Sequence, residues 1–574
     1  MGTSLRALRA LVLLAGFYLI AVLMLGVLVA ADVAATLWAP GLAMVKVYFC
    51  SVVLAVPVLR GVFVFSTARA KEPDGLPVTE AGQPELWRTV RSLAERTGTR
   101  APDAIVLTGD VNAGVTEDTR LLGLLPGPRR LYLGAPLLTG LTEAQLHAVI
   151  AHELAHYGNT DTRLAGIALR GRAGVLRTVE TFREREEERI AKERAVQEKA
   201  AEEAVRKGRK PKKIDADRAG AGHRLMVKPF LAYAAFYLRA THSTGRQQEL
   251  AADRLAARVA GRDATASALR ETAALDAAHD FYMSRYATAG VDIGLLPPRG
   301  EVFGGLHRLL TAPGRQESLA GLRDELPPAE PSPYDTHPPV AVRVELIEAL
   351  PDDGRTLDGR ALDGRTLGDA RPSLGFALGS ALGLLRDRER VMADLEGAVL
   401  TPKARAMTRV DWPELIHRSV HARTEEAAEP LRTALGATGA RATGAGALAD
   451  LSVLLDLADA GRLWEVADHL PKSPEAARAG GRAAREFARP ALYAGLRELT
   501  ELALAESAGA RWELSWSGPA RLLLPDGTAV DEAVADAVRP AVADVPDTAP
   551  LRELVLPLLP DPVLPGPVSD RNPA

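Results

Sequence analysis

The hydrophobic pattern divides the chain before any motif is considered. Ala10 to Ala31 carries no charge, and at about 1.5 Å of rise per residue it can cross a hydrocarbon core of roughly 30 Å. A cleaved signal peptide is the competing reading, but its apolar region runs to only about 7–15 residues, so a retained helix is expected. A second apolar run, Val47 to Phe65, follows a short loop. It contains Arg60 near one end, where the guanidinium can snorkel to the headgroups. These runs predict two transmembrane helices, about 10–31 and 47–65, with a buried hairpin of a soluble domain as the alternative.

Beyond residue 70 the pattern becomes amphipathic. Residues 83–98, QPELWRTVRSLAERTG, predict a helix ending at glycine. DAIVLTGD at 103–110 and RRLYLGAPLL at 129–138 predict strands. LTEAQLHAVIAHELAHYGN follows at helical spacing with Thr142 as its N-cap. Residues 178–218 are intensely charged and predict a solvated helix laced with i,i+4 ion pairs, with gating of a cleft or contact with anionic lipid as the alternative. LMVKPFLAYAAFYLRA at 225–240 predicts a buried or interfacial helix too punctuated to span a bilayer.

A five-residue unit repeats three times from Asp353 to Leu367 and predicts a turn-rich linker. After it the pattern is mostly helical, with one hairpin near RWELSWSGPARLLLPDGT, where Trp512, Leu514 and Trp516 alternate. The expected organisation is a membrane anchor at 1–70, a folded domain at 71–350, a linker at 351–369 and a helical C-terminal domain of unassigned role at 370–574. The fold class is α+β, mostly α.

Charge and composition narrow the chemistry. A net charge of −3 on 574 residues excludes nucleic-acid binding driven by bulk charge. The lone cysteine, Cys50, can neither close an intrachain disulfide nor build a thiolate metal cluster. Any zinc site must therefore use histidine and carboxylate. Arg6 and Arg9 precede the first apolar run, Arg60, Arg69 and Lys71 end or follow the second, and only Lys46 lies near the loop between. The positive-inside rule then places both ends, and everything after residue 70, in the cytoplasm.

The candidate chemistry lies in VIAHELAHYGNTD, Val149 to Asp161. Residues four apart on a helix differ by about 40° in azimuth, so His152 and His156 can aim their rings at one point. Glu153 lies about 100° around the helix from His152, suited to reach a metal-bound water rather than the metal. The same spacing also fits two core histidines. A catalytic zinc needs a third protein ligand, and the best candidate is Glu249 in the helical stretch 246–261. Asp253, on the same face, could hold a ligand histidine by its free ring N–H. Two surface acids are the competing reading of that stretch.

AVIAHELAHYGNTDTRL, GRQQELAADRLAA and THPPVAVRVELI (336–347) together, with the apolar segments before them, resemble the HtpX-like, membrane-anchored zinc metallopeptidases, which include the CAAX prenyl endopeptidases. The resemblance spans roughly 80–350. It implies a gluzincin-like fold, one zinc per chain on His152, His156 and Glu249, and Glu153 as catalytic acid and base. It implies that Asp253 matches the family's aspartate, and that His337 and Arg343 stabilise an oxyanion, orient the site, or serve the structure. Asn112 and Ala113 match a substrate-facing strand on which Gly114 stands where the family often has an aromatic residue. Gly245-Arg246 stands where it usually has Ser-Arg.

The function expected is that of a multi-pass membrane zinc endopeptidase facing the cytoplasm. Its partners are a protein or peptide substrate, added as a strand near Asn112, and the lipid bilayer. A prenyl-processing role is disfavoured by the two N-terminal spans and large soluble remainder. The competing function is a non-catalytic, membrane-tethered binding or signalling protein with a relict metallopeptidase fold.

Overall fold

The computed structural model describes residues 3–38, 41–59, 73–117, 127–158, parts of 175–201, 221–326, 338–351, 380–440, 444–472, 481–555 and 557. His337, the repeat at 353–367, the end of the second apolar run and much of the charged stretch lie outside the described residues. The chain forms two compact units, neither continuous in sequence. One comprises 1–277 and 319–399, the other 278–318 and 400–574.

The first unit opens with α1 (Thr3–Trp38) and α2 (Leu42–Val58). Within α1, Val12–Trp38 is long and apolar enough to cross a membrane, and among the described residues it alone passes that test. The described part of the second apolar run is helical within α2, which pairs with α1. The Thr36 and Tyr48 hydroxyls bridge the two helices at 2.6 Å.

A four-stranded sheet follows, of β1 (Leu76–Val78), β2 (Ala104–Thr108), β3 (Ala113–Glu117) and β4 (Arg129–Gly134), in the order β1-β2-β4-β3. β2 and β4 are parallel; the outer pairings are antiparallel. α3 (Pro84–Thr97) buries Leu86, Trp87, Val90 and Leu93 and ends at Gly98 in the left-handed conformation, where glycine pays no Cβ penalty. The strand expected to run to 138 stops at Gly134. A Cβ there would lie 1.9 Å from the Asp110 carbonyl oxygen, and Pro136 at the start of α4 (Ala135–Gly140) turns the chain into a helix.

α5 (Glu143–Gly158) carries the histidine pair. Thr142 caps it as expected, and reciprocally: the Gln145 N–H donates to Thr142 Oγ1 at 3.2 Å, and the Thr142 N–H donates to Gln145 Oε1 at 2.9 Å. α5 packs on α6 (Ala221–Ala260) and also on α3. Ala148 of α5, Ala260 at the end of α6 and Ala268 of the following helix share one small buried cluster.

α6 would be about 60 Å long at the usual rise. Its first half, the stretch expected to be buried or interfacial, sets Phe230, Ala234, Tyr237 and Leu238 against Phe17 and Ala21 of α1. The Tyr233 hydroxyl donates to the Leu13 carbonyl at 2.9 Å. The second half carries Glu249 and Asp253, so one helix connects the α1 contact to the candidate site. α7 (Arg262–Tyr282) and α8 (Val340–Glu348) follow. α9 (Arg388–Val399) packs on β1 and β2. Of the charged stretch, 190–201 is helical and mostly exposed.

The second unit is mainly helical. α10 (Trp412–Ala437), α11 (Ala447–Asp459), α12 (Leu463–His469), α13 (Gly481–Ser507) and α14 (Asp531–Ala541) contribute to a leucine-rich core. A parallel pair, β5 (Leu295–Leu296) with β6 (Thr408–Arg409), joins residues before and after the candidate linker. The expected hairpin forms as β7 (Arg511–Glu513) and β8 (Arg521–Leu523), with Trp512 buried.

Candidate metal centre

α5 presents the two histidine rings edge to face, with centroids 4.9 Å apart. Their Nε2 atoms are 3.3 Å apart. From α6, Glu249 brings one carboxylate oxygen to 3.5 Å from His152 Nε2 and the other to 3.7 Å from His156 Nε2. Three ligand atoms thus converge on one point from two helices. Ligands held about 2.0–2.2 Å from a tetrahedral zinc stand roughly 3.3–3.6 Å from one another. The donor set is two imidazoles and a carboxylate, with a fourth corner left for water, so these residues fit a catalytic zinc.

The far side of His152 is equally organised. Asp253, one helical turn after Glu249, lies 2.9 Å from His152 Nδ1. Arg343, on the first turn of α8, clasps that carboxylate with two donors: Nε to Oδ2 at 2.9 Å and Nη2 to Oδ1 at 2.6 Å. Pro338 and Pro339 precede α8, with Pro339 as its N-cap in an extended conformation; a following proline disfavours helical geometry at Pro338. His152, Glu249, Asp253 and Arg343 are all buried.

The charges answer one another. Burial pulls the His152 pKa down, but Asp253 and Glu249 outweigh it and lift it to about 9. Without metal the ring is therefore cationic at neutral pH, so metal binding at His152 would release a proton. Burial pushes the Asp253 carboxyl up, yet Arg343 and His152 hold it below the ordinary carboxylate range. Glu153 is half-buried, and its charge acts on both His152 and Arg343.

Breaking one partner of a buried ion pair strands the other charge. With side chains only 8% and 2% exposed, the Arg343→Met variant is expected to lose roughly 3 kcal/mol of stability. Unfolding midpoints in detergent measure this; a loss under about 1 kcal/mol would show that Asp253 does not depend on the guanidinium.

The structure thus brings His152, His156, Glu249, Asp253 and Arg343 together. Asn112 is exposed at the foot of β3, and Ala113 and Gly114 are half-buried on it. A Cβ built at Gly114 meets nothing within 4 Å, so the strand is open at that point. Gly245 and Arg246 are helical within α6. One contact was not anticipated. Tyr157, directly after His156, donates from its hydroxyl to the Val115 carbonyl of β3 at 2.7 Å. The only hint in sequence is an aromatic residue beside a ligand histidine.

Residues 80–350 match the family model of peptidase family M48. The protease HtpX homolog of Janthinobacterium sp. (strain Marseille) is 35% identical over 103 residues, 17% of this chain and 32% of that protein. Protease HtpX of Haemophilus influenzae (strain PittEE) is 34% identical over 110 residues, 18% of this chain and 36% of that protein. The homolog from Trichormus variabilis is 33% identical over 92 residues, 16% of this chain and 30% of that protein. The chain thus spans about a third of the length of these relatives. No solved structure matches at a significant level.

Proposed function

We propose that this chain, whose residues 80–350 match peptidase family M48 and which is similar to HtpX proteases, is a membrane-anchored, zinc-dependent endopeptidase whose catalytic unit faces the cytoplasm. The observation that supports this best is the convergence of His152, His156 and Glu249 at tetrahedral spacing. A zinc held by these residues would supply Lewis-acid activation of a water and of the scissile carbonyl.

The chain's own residues do the rest. Glu153 takes a proton as the water oxygen bonds to the carbonyl carbon, and delivers it to the amine as the C–N bond breaks. Asp253 receives the His152 Nδ1–H, which turns Nε2 toward Glu249 and His156. Arg343 acts as a positioning residue, clasping Asp253 with Nε and Nη2 while Nη2 also lies 3.4 Å from the His152 ring nitrogens. An extended peptide adds to the β3 edge at Asn112, Ala113 and Gly114, where main-chain pairing accepts many sequences.

The membrane side follows from α1. Arg6 and Arg9 precede its apolar run, and α6 meets α1 at Leu13, Phe17 and Ala21, in the half nearest those charges. α2 folds back along α1. These contacts support the reading that the catalytic unit lies on the Arg6 side, which the positive-inside rule makes cytoplasmic.

The purified full chain in detergent is expected to carry one zinc and to cleave casein. A chelator should abolish cleavage, and added zinc should restore it. Stoichiometric zinc without cleavage of several protein substrates would favour the non-catalytic binding reading; absence of zinc would reduce the histidines to core residues.

A further inference from the structure

β3 is an edge strand whose second side faces away from β4. Its backbone phase follows from one bond: the Gly134 N–H donates to the Asn112 carbonyl at 2.8 Å, continuing the register in which Ala113 faces Leu133 and Gly114 faces Tyr132. Antiparallel pairs alternate between bonded and non-bonded positions. Asn112, Gly114 and Thr116 thus bond inward, and Ala113, Val115 and Glu117 present their N–H and C=O groups outward. The Tyr157 contact confirms the phase independently, since its hydroxyl reaches the Val115 carbonyl from the outer side.

An added strand would run about 4.8 Å from β3 and place its own N–H some 2.9 Å from each outward carbonyl. At Val115 that position is already taken, by a hydroxyl at 2.7 Å with a ring behind it. The ring is braced. The Arg129 guanidinium lies 4.9 Å over it, and Arg129 is held by Glu117 Oε1 at 3.1 Å, Thr99 Oγ1 at 2.8 Å and the Arg100 carbonyl at 3.1 Å. Tyr157 also follows His156 directly, so α5 ties this obstruction to a candidate ligand.

We propose that Tyr157 is a specificity-determining stop: it ends the β3 lane at Ala113 and so limits how many residues of a bound peptide can be strand-paired on one side of the metal centre. This rests on the reading that β3 receives the peptide. The stop makes the site one that takes short extended segments, with recognition concentrated at Ala113 and the open space beside Gly114, rather than one that builds a long ladder.

The test uses the full-length, zinc-loaded Glu153→Gln protein, which keeps a bound peptide intact. A fluorescent casein-derived decapeptide, and versions shortened one residue at a time from each end, are titrated by polarisation. With Tyr157 present, affinity should stop rising once one end passes the residue paired with Ala113. In the added Tyr157→Leu variant, whose side chain is too short to reach Val115, the next two residues should each add about 2- to 10-fold, the worth of a net hydrogen bond.

The added Tyr157→Phe variant keeps the ring on Arg129 and frees the carbonyl alone, so it should gain less than about 3-fold and serves where the leucine variant folds poorly. Zinc content and unfolding midpoint check each protein. Length profiles that superimpose in all three overturn the role of Tyr157. No peptide binding to the parent protein would instead remove the peptidase reading, and the proposal with it.

Discussion

Replacing Glu153 by glutamine is expected to leave one zinc per chain and to lower the casein cleavage rate by roughly 10²- to 10⁴-fold, the range of general acid–base catalysis. The substitution keeps size and removes only the ability to take a proton. Glu153 is not among the three converging groups: the ligand atoms belong to His152, His156 and Glu249, and Glu153 occupies a different azimuth of α5. Zinc content by elemental analysis and cleavage by gel or fluorescence separate the two quantities. A variant that loses its zinc would make Glu153 a ligand or a structural group. One that cleaves at the parent rate would leave the reaction without its proposed base.

The opposite dissociation is expected at Glu249. The Glu249→Gln variant removes the only anionic ligand of the three and the helix-to-helix closure of the site, so both zinc and cleavage should be lost. The fall in metal affinity should exceed the roughly 10- to 100-fold typical of losing an outer hydrogen-bond partner. Metal competition against a chromogenic chelator reads the affinity directly. The comparison with Asp253→Asn is the informative one, because Asp253 holds His152 from behind at 2.9 Å and should fall within that smaller range. Equal losses at the two positions would mean that Glu249 positions a ligand rather than being one. Together with Glu153→Gln, these variants separate holding the metal from using it.

How much of this was legible beforehand varies with the distance over which each feature is specified. The helix carrying His152 and His156, its Thr142 cap, the α3 helix and the β7–β8 hairpin are local patterns, and each appears where the sequence placed it. The strand expected over 129–138 was too long because an apolar run does not mark where a backbone must turn. The close approach of Gly134 to Asp110, and Pro136 after it, decide that point. Of the two N-terminal runs, Val12–Trp38 is long and apolar enough to cross a membrane, while the end of the second run lies outside the described residues.

By itself the sequence determined the chemistry that was available: two imidazoles on one helical face with a carboxylate beside them, a second helix with acids one turn apart, and no thiolate cluster. Those follow from residue type and from a period of 3.6, which a chain carries wherever it folds. Only the tertiary structure decided the use. The packing of α5 on α6 brings Glu249 to both histidines. α8 returns Arg343 to Asp253 across 90 positions. The order of strands, with β3 outermost, makes Tyr157 the end of an edge rather than one more aromatic in a core. These are contacts between elements distant in sequence, set by which faces must be buried together, and no local pattern encodes them.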